Sequence, residues 1–179
     1  MLQLLKVEYL FDGTLSTCKI DPVDSELKKD VKPIFSRPYP VPKVHEEIFL
    51  KEVDRLFPIG FLEVANDPEW GAPSFAEPKP ESNQVHLLSD FRDLNKKLKR
   101  KPYSTPKINE MLLKLEDFQY AMSLDLNMGY YHIQLIKNAS NLCIIILPWG
   151  KYWYKRLPMG VSISSDTFQQ KTNDLFHGF

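Results

Sequence analysis

The stretch Ser123-Leu124-Asp125-Leu126-Asn127-Met128-Gly129-Tyr130-Tyr131 decides how the rest of the chain is read. The run Tyr-Ala-Met-Ser-Leu that leads into it alternates as an apolar strand ending at Asp125, and Asn127 and Gly129 then break the pattern. A carboxylate at the carboxyl end of an apolar strand stands on a rigid support. An oxygen ligand of that kind suits Mg²⁺, which usually keeps several waters and substrate phosphates as its other ligands. The same Asp can instead cap the turn that follows, accepting from nearby backbone N–H groups. The flanking sequence has to separate the two readings.

Downstream, NLCIIILPWGKYWYKRL holds two β-rich runs around the Pro148-Trp149-Gly150 turn. The final segment SSDTFQQKTNDLFHGF forms a helix carrying Phe168, Leu175 and Phe176, with Ser164 or Ser165 as its cap. Upstream, INEMLLKLEDF is a short amphipathic helix with Pro106 just before its first turn. Before it, turn-formers Asn66, Pro68 and Gly71, then Pro80, Ser82 and Asn83, bracket segments around Ser74–Lys79 and Val85–Asp90, a β-hairpin. In VHEEIFLKEVDRLFPIGFL, residues Val44, Ile48, Val53, Leu56 and Phe57 approximate a 3.6-residue repeat, which predicts a helix ending before Pro58. Ten of the 14 prolines fall between Pro22 and Pro80, and KPIFSRPYPVPK reads as an extended connector of polyproline type. The order helix, hairpin, helix, strand, hairpin, helix is an α+β arrangement.

The 179 residues, 43% hydrophobic and 26% charged, suffice for one ordinary domain or two small ones. No run approaches the ~18 apolar residues of a membrane span. The opening MLQLLKVEYLFD interrupts its apolar run with Lys6, Glu8 and Asp12, so an intracellular, cytoplasmic protein with no membrane partner is expected. Cys18 and Cys143 lie far apart, with no C-x-x-C and no matching His spacing, which excludes a zinc module or disulfide framework. The net charge is zero but uneven. Residues 1–85 carry ten basic and fifteen acidic groups, 86–114 eight and three, and 115–179 five and five. A basic block confined to the middle third points to a local anionic partner, with a solvated charged face as the plain alternative.

Two further segments carry chemistry. In Leu157-Pro158-Met159-Gly160, a glycine before a helix start lets backbone N–H groups approach an anion, although Pro-x-Gly is also an ordinary turn. In Leu88-Ser89-Asp90-Phe91-Arg92-Asp93-Leu94-Asn95-Lys96 the hairpin runs into the basic block, where surface ion pairs of small energetic value are the alternative.

Taken in order, the motifs Trp70-Gly71-Ala72-Pro73, Asp90-Phe91-Arg92-x-Leu94-Asn95, Tyr103-x-x-Pro106-x-Ile108, Leu124-Asp125-Leu126-x-x-Gly129-Tyr130, and Leu157-Pro158-x-Gly160 with Phe168-Gln169 resemble the reverse transcriptases of gypsy-type LTR retrotransposons. The likeness covers roughly residues 10–179. It implies the fingers and partial palm of a right-hand polymerase: fingers at about 43–99 and 133–163, palm at about 100–132 and 164–179, preceded by a loosely attached connector, 1–42, from the upstream polyprotein region. It implies Asp125 as the catalytic metal ligand, with the Leu126 backbone carbonyl beside it, in a two-Mg²⁺ displacement by the primer hydroxyl. It also implies a nucleotide site made by Lys79, His86, Met128, Gly129, Tyr130, Met159 and Gly160, with Tyr130 excluding ribose. Arg92, Lys96, Lys97, Lys99, Arg100 and Lys101 would bind the nucleic acid. The implied partners are an RNA or DNA template-primer, deoxynucleotides and the remainder of the polyprotein, in a cytoplasmic virus-like particle.

The chain departs from that pattern at three places. The family's Tyr-x-Asp-Asp is absent from the 179 residues, which reads as truncation before the second catalytic motif, so Mg²⁺ is expected only with the complete palm and no polymerisation from this chain alone. His86 stands where the family carries a triphosphate-binding arginine, and a mostly neutral imidazole does not replace a forked cation. Ile163-Ser164-Ser165 replaces Asn-Ala-Pro. The alternative expectation is a non-catalytic nucleic-acid-binding or interaction protein derived from a decayed element.

Overall fold

Apolar residues on one face make Lys43–Leu56 the first helix, α1, which buries Phe49, Val53 and Leu56. Val44 shares the expected spacing but sits exposed in the first turn, so the buried face starts at Phe49. The computed structural model describes residues 15–78, 84–104, 107–113 and 125–176. Its other elements are strands β1 (Leu62–Val64), β2 (Ala72–Pro78), β3 (Val85–Ser89), β4 (Ile144–Leu147) and β5 (Gly150–Tyr154), with helices α2 (Arg92–Lys97), α3 (Ile108–Leu112), α4 (Lys137–Leu142) and α5 (Ser164–Phe176). A 3₁₀ turn spans Gly129–His132. Lys79, Pro106 and the strand expected to lead into Asp125 lie outside the described residues.

The strands form one five-stranded sheet in the order β1-β5-β4-β2-β3, in which β2 and β4 pair in parallel and the other neighbours antiparallel. β4, Ile-Ile-Ile-Leu, is buried at all four positions, as a central β-branched strand with both faces covered should be. Phe49 meets Trp149 of the β4–β5 turn edge to face at 5.5 Å, which seats α1 on the sheet. The α+β order, the hairpin and the last helix follow expectation. β1, α2 and α4 are additions.

Residues 15–42 differ from the loose connector expected. They form an extended strap tied down along its length: Val23 pairs with Gln134 and Ile136 (2.8 and 3.0 Å), Lys28 N donates to Lys97 O (2.9 Å), and a parallel bridge joins Phe35 to Gly71, with Ser36 N donating to Gly71 O (3.0 Å) and Gly71 N to Ile34 O (2.9 Å). Val23 and Ser25 are buried. The prolines explain both the expectation and the outcome. They hold the backbone extended and remove their own donors, leaving the residues between them free to pair with the body.

Cys143 is buried, and burial pushes its thiol up to about 12; Cys18 is half-buried, and neither cysteine forms a disulfide. No helix among the described residues is long and apolar enough to cross a membrane.

Candidate functional site

Two groups of the expected site residues assemble separately. The first forms where β3 passes into α2. Asp90 Oδ1 accepts from Arg92 N (3.2 Å) and Nε (2.8 Å), and Oδ2 from Arg92 Nη2 (2.6 Å) and Tyr39 Oη (2.8 Å). Asp90 is only 13% exposed, so these donors replace the water it loses. The Arg92 guanidinium, with help from Tyr39, holds the Asp90 carboxyl well below the usual carboxylate range. One turn on, Asn95 Nδ2 donates to Gly160 O (2.8 Å) and Asn95 Oδ1 accepts from Ser162 N (2.8 Å). A single amide thus clamps the Leu157–Gly160 loop to α2. Gly160 is needed there: its φ is +86°, and a Cβ would stand 3.3 Å from Ser89 O. Ser164 is buried and donates its hydroxyl to Pro158 O at 2.7 Å, so it ties the loop to the start of α5 rather than serving as the expected cap.

Between these elements lies a cleft of about 290 Å³ lined by Phe75, Leu87, Leu88, Ser89, Asp90, Arg92, Tyr131, Tyr154, Met159 and Gly160. Asp90, Arg92, Met159 and Gly160 thus line one cleft. His86 is exposed on β3 opposite Glu77 and does not line the cleft.

The second group is the loop Asp125–Gly129 and the turn after it. Asp125 and Leu126 are exposed, and Met128 adopts the left-handed conformation at φ 54°. A Cβ at Gly129 would stand 3.0 Å from Phe168 Cζ, and Tyr130 meets the Phe168 ring edge to face at 4.8 Å. The Asp125 motif and the Phe-Gln helix thus pack on one another. None of Asp125, Leu126, Met128, Gly129 and Tyr130 lines the cleft; the tyrosines that do are Tyr131 and Tyr154, and Tyr131 also lies against Phe61 at 3.9 Å. Among the described residues no group of three or more His, Cys, Asp or Glu side chains could hold a metal ion. One carboxylate and one carbonyl do not hold two divalent cations about 3.5 to 4 Å apart, so the described residues do not by themselves fit a two-ion centre.

The basic block is largely paired within the chain. Glu26 of the strap takes Lys99 (3.1 Å) and Lys101, Asp93 takes Lys96 (2.7 Å), and Asp166 of α5 takes Arg100 (2.7 Å). Asp166 is 8% exposed, also accepts from Tyr103 N (3.2 Å), and is held low by Arg100. Lys101, then Lys99, hold Glu26 low. Half-buried Lys97 has no ion-pair partner among the described residues. Sequence reading missed Tyr39, Asn95, Tyr131, Glu26 and Asp166 as partners of the site. Of these only Glu26 stood outside every quoted segment.

The described fold, a curled mixed sheet with helices on its faces and the paired motif loops beside it, is that of a reverse transcriptase. It superposes on prototype foamy virus protease-reverse transcriptase with a TM-score of 0.82 at 22% identity, over 97% of this chain and 24% of that one. A foamy viral protease-reverse transcriptase in complex with RNA/DNA hybrid gives 0.81 at 20% identity, again over 97% and 24%. In sequence the chain is similar to the Pol polyprotein of the Drosophila melanogaster transposon gypsy, 30% identical over 172 residues, which is 91% of this chain and 16% of that protein. The Pol polyprotein of transposon 412 from the same fly is 27% identical over 154 residues, 84% of this chain and 12% of that protein. The putative enzymatic polyprotein of Cassava vein mosaic virus is 26% identical over 160 residues, 86% and 24%. No protein-family model matches. The chain spans between 12% and 24% of the length of the first relatives, and is similar to one region of each of those polyproteins.

Proposed function

We propose that this chain is the fingers and first palm portion of an RNA-directed DNA polymerase that copies retroelement RNA. Fingers run over about 43–99 and 133–163, palm over 100–132 and 164–179, with 1–42 derived from the upstream connector. The observation that carries this reading is the meeting of the Asp90–Asn95 motif with the Leu157–Gly160 loop through both ends of the Asn95 amide (2.8 Å each). It builds one wall of a cleft from residues 65 positions apart. The Asp125 carboxylate, exposed beside Gly129, supplies one metal ligand and belongs to a two-Mg²⁺ centre only when a later palm segment adds further carboxylates. Template-primer follows the Arg92–Lys101 block, and deoxynucleotide meets Met159, Gly160 and the Met128–Gly129 amides.

The test is primer extension on an RNA template. The chain joined to a palm segment carrying Tyr-x-Asp-Asp extends the primer; the chain alone does not. In the joined chain Tyr130→Ala admits ribonucleotides, and His86→Arg lowers the nucleotide KM by adding a forked phosphate contact. Unaltered sugar discrimination in Tyr130→Ala contradicts the gate. Exposed His86, which stands outside the cleft, favours one second reading, nucleic-acid binding without chemistry. Hybrid binding with no extension by any joined chain selects it.

A further inference from the structure

The loop that bears Asp125 is held by few groups. Among the described residues, the side-chain hydrogen bond that fixes its backbone joins His132 Nε2 to Asn127 O at 3.0 Å. His132 is fixed in turn from the strap: Nδ1 lies 3.0 Å from Ser16 O and 3.2 Å from Ser16 Oγ, and Cys18 N donates to His132 O at 2.9 Å. Arg156, buried and without a carboxylate partner among the described residues, secures the same strap residues. Its Nη1 donates to Ser16 O (3.1 Å) and Tyr131 O (2.9 Å), Nη2 to Thr17 Oγ1 (3.3 Å), and Nε to Gly60 O (3.2 Å). Four of the five donors in its fixed fork meet acceptors from the strap, the 3₁₀ turn and the β1 approach, and burial lowers the pKa of the guanidinium.

The imidazole is suited to this bridge. Both ring nitrogens lie 3.0 Å from backbone carbonyls, which only accept, so a neutral ring donates to one of them; with Nε2–H it donates to Asn127 O while Nδ1 accepts from the Ser16 hydroxyl. Asn127 is two residues beyond Asp125 and two before Gly129, so a shift at its carbonyl moves the carboxylate and the Met128–Gly129 amides together. We propose that the strap residues Ser16–Cys18 act, through His132 as a positioning residue, to hold the Asp125 loop in its nucleotide-ready conformation. The segment upstream of the polymerase region is then a working part of the site. This rests on the function proposed above for Asp125, but the mechanical link is independent of it.

Hydrogen exchange on the 179-residue chain tests the link without any ligand. In His132→Ala, amides between Met128 and Ile133 should exchange about tenfold faster, while those of β4 and the thermal midpoint stay as in the parent. His132→Gln, which keeps a donor for Asn127 O and an acceptor for Ser16, should restore most of the protection. Should His132→Ala fail to fold, Ser16→Ala is read at the same amides, with a smaller rise expected. Equal acceleration across the sheet, or no difference between Ala and Gln, overturns the proposal. In the palm-joined chain, His132→Ala should raise the Mg²⁺·dATP KM about tenfold more than it lowers kcat, with rescue by Gln. If no joined chain polymerises, the functional reading fails while the exchange result still decides the strap.

Discussion

The turn from β3 into α2 and the loop from Asp125 to Gly129 carry the two best motifs of the chain, yet they are built in opposite ways. At the first, a 13% exposed carboxylate has four donors and a single asparagine bonds two backbone groups of a distant loop, all above buried Phe91 and Leu157. At the second, Asp125 and Leu126 face solvent, and fixation comes from one imidazole and the packing of Gly129 and Tyr130 on Phe168. The first region is complete in itself, whereas the second presents its carboxylate on a loop with few ties among the described residues.

The largest effect that sharpens this contrast is on stability. Phe49→Ala in the fully buried core should cost about 3 to 5 kcal/mol in urea denaturation, and Leu126→Ala less than about 0.5 kcal/mol. Comparable losses would erase the distinction. Next, Asn95→Ala should cost about 1 to 3 kcal/mol, because Gly160 O and Ser162 N lose their shared partner. Gly160→Ala adds strain of about 1 to 2 kcal/mol at a positive φ.

Acid sensitivity belongs to the first region as well. Asp90 and Asp166 both titrate below the ordinary 3.8 when folded, held by Arg92 and Arg100. The unfolded chain therefore binds their protons more tightly. Their stabilisation is fully present above about pH 4 and drains away as pH falls below it. A pH series of urea midpoints should show this acid limb, flattened in Asp90→Asn; an unchanged limb would mean the pair contributes nothing.

The smallest effect concerns the basic block. Because Glu26 holds two lysines, Glu26→Gln should steepen the dependence of log K for an RNA–DNA hybrid on log salt, by up to about 0.9 per lysine released. Lys97→Glu should flatten it. Fluorescence anisotropy over a salt range measures both, and identical slopes would leave the block a solvated face.

How much of this was legible in the sequence depended on range. α1, the β2–β3 hairpin, the β4–β5 turn and α5 announced themselves through periodicity and turn residues within a few positions. α2 was read as a charge run because four of its six residues are charged, and α4, Lys-Asn-Ala-Ser-Asn-Leu, offers no apolar repeat. The strap was misjudged because prolines signal an extended chain but not what it pairs with. Motif spacing found Asp90, Arg92 and Gly160. The counter-ions Glu26 and Asp166, 63 to 75 residues from their partners, leave no local signature.

Single-nucleotide incorporation by the palm-joined chain, on an RNA template with a DNA primer and Mg²⁺, bears most directly on the identity of the Asp125 loop as the first half of a polymerase centre. Incorporation by the joined chain, with Asp125→Asn and the unjoined chain both at background, is the expected result. Undiminished incorporation by Asp125→Asn, or extension by the unjoined 179 residues, would contradict it.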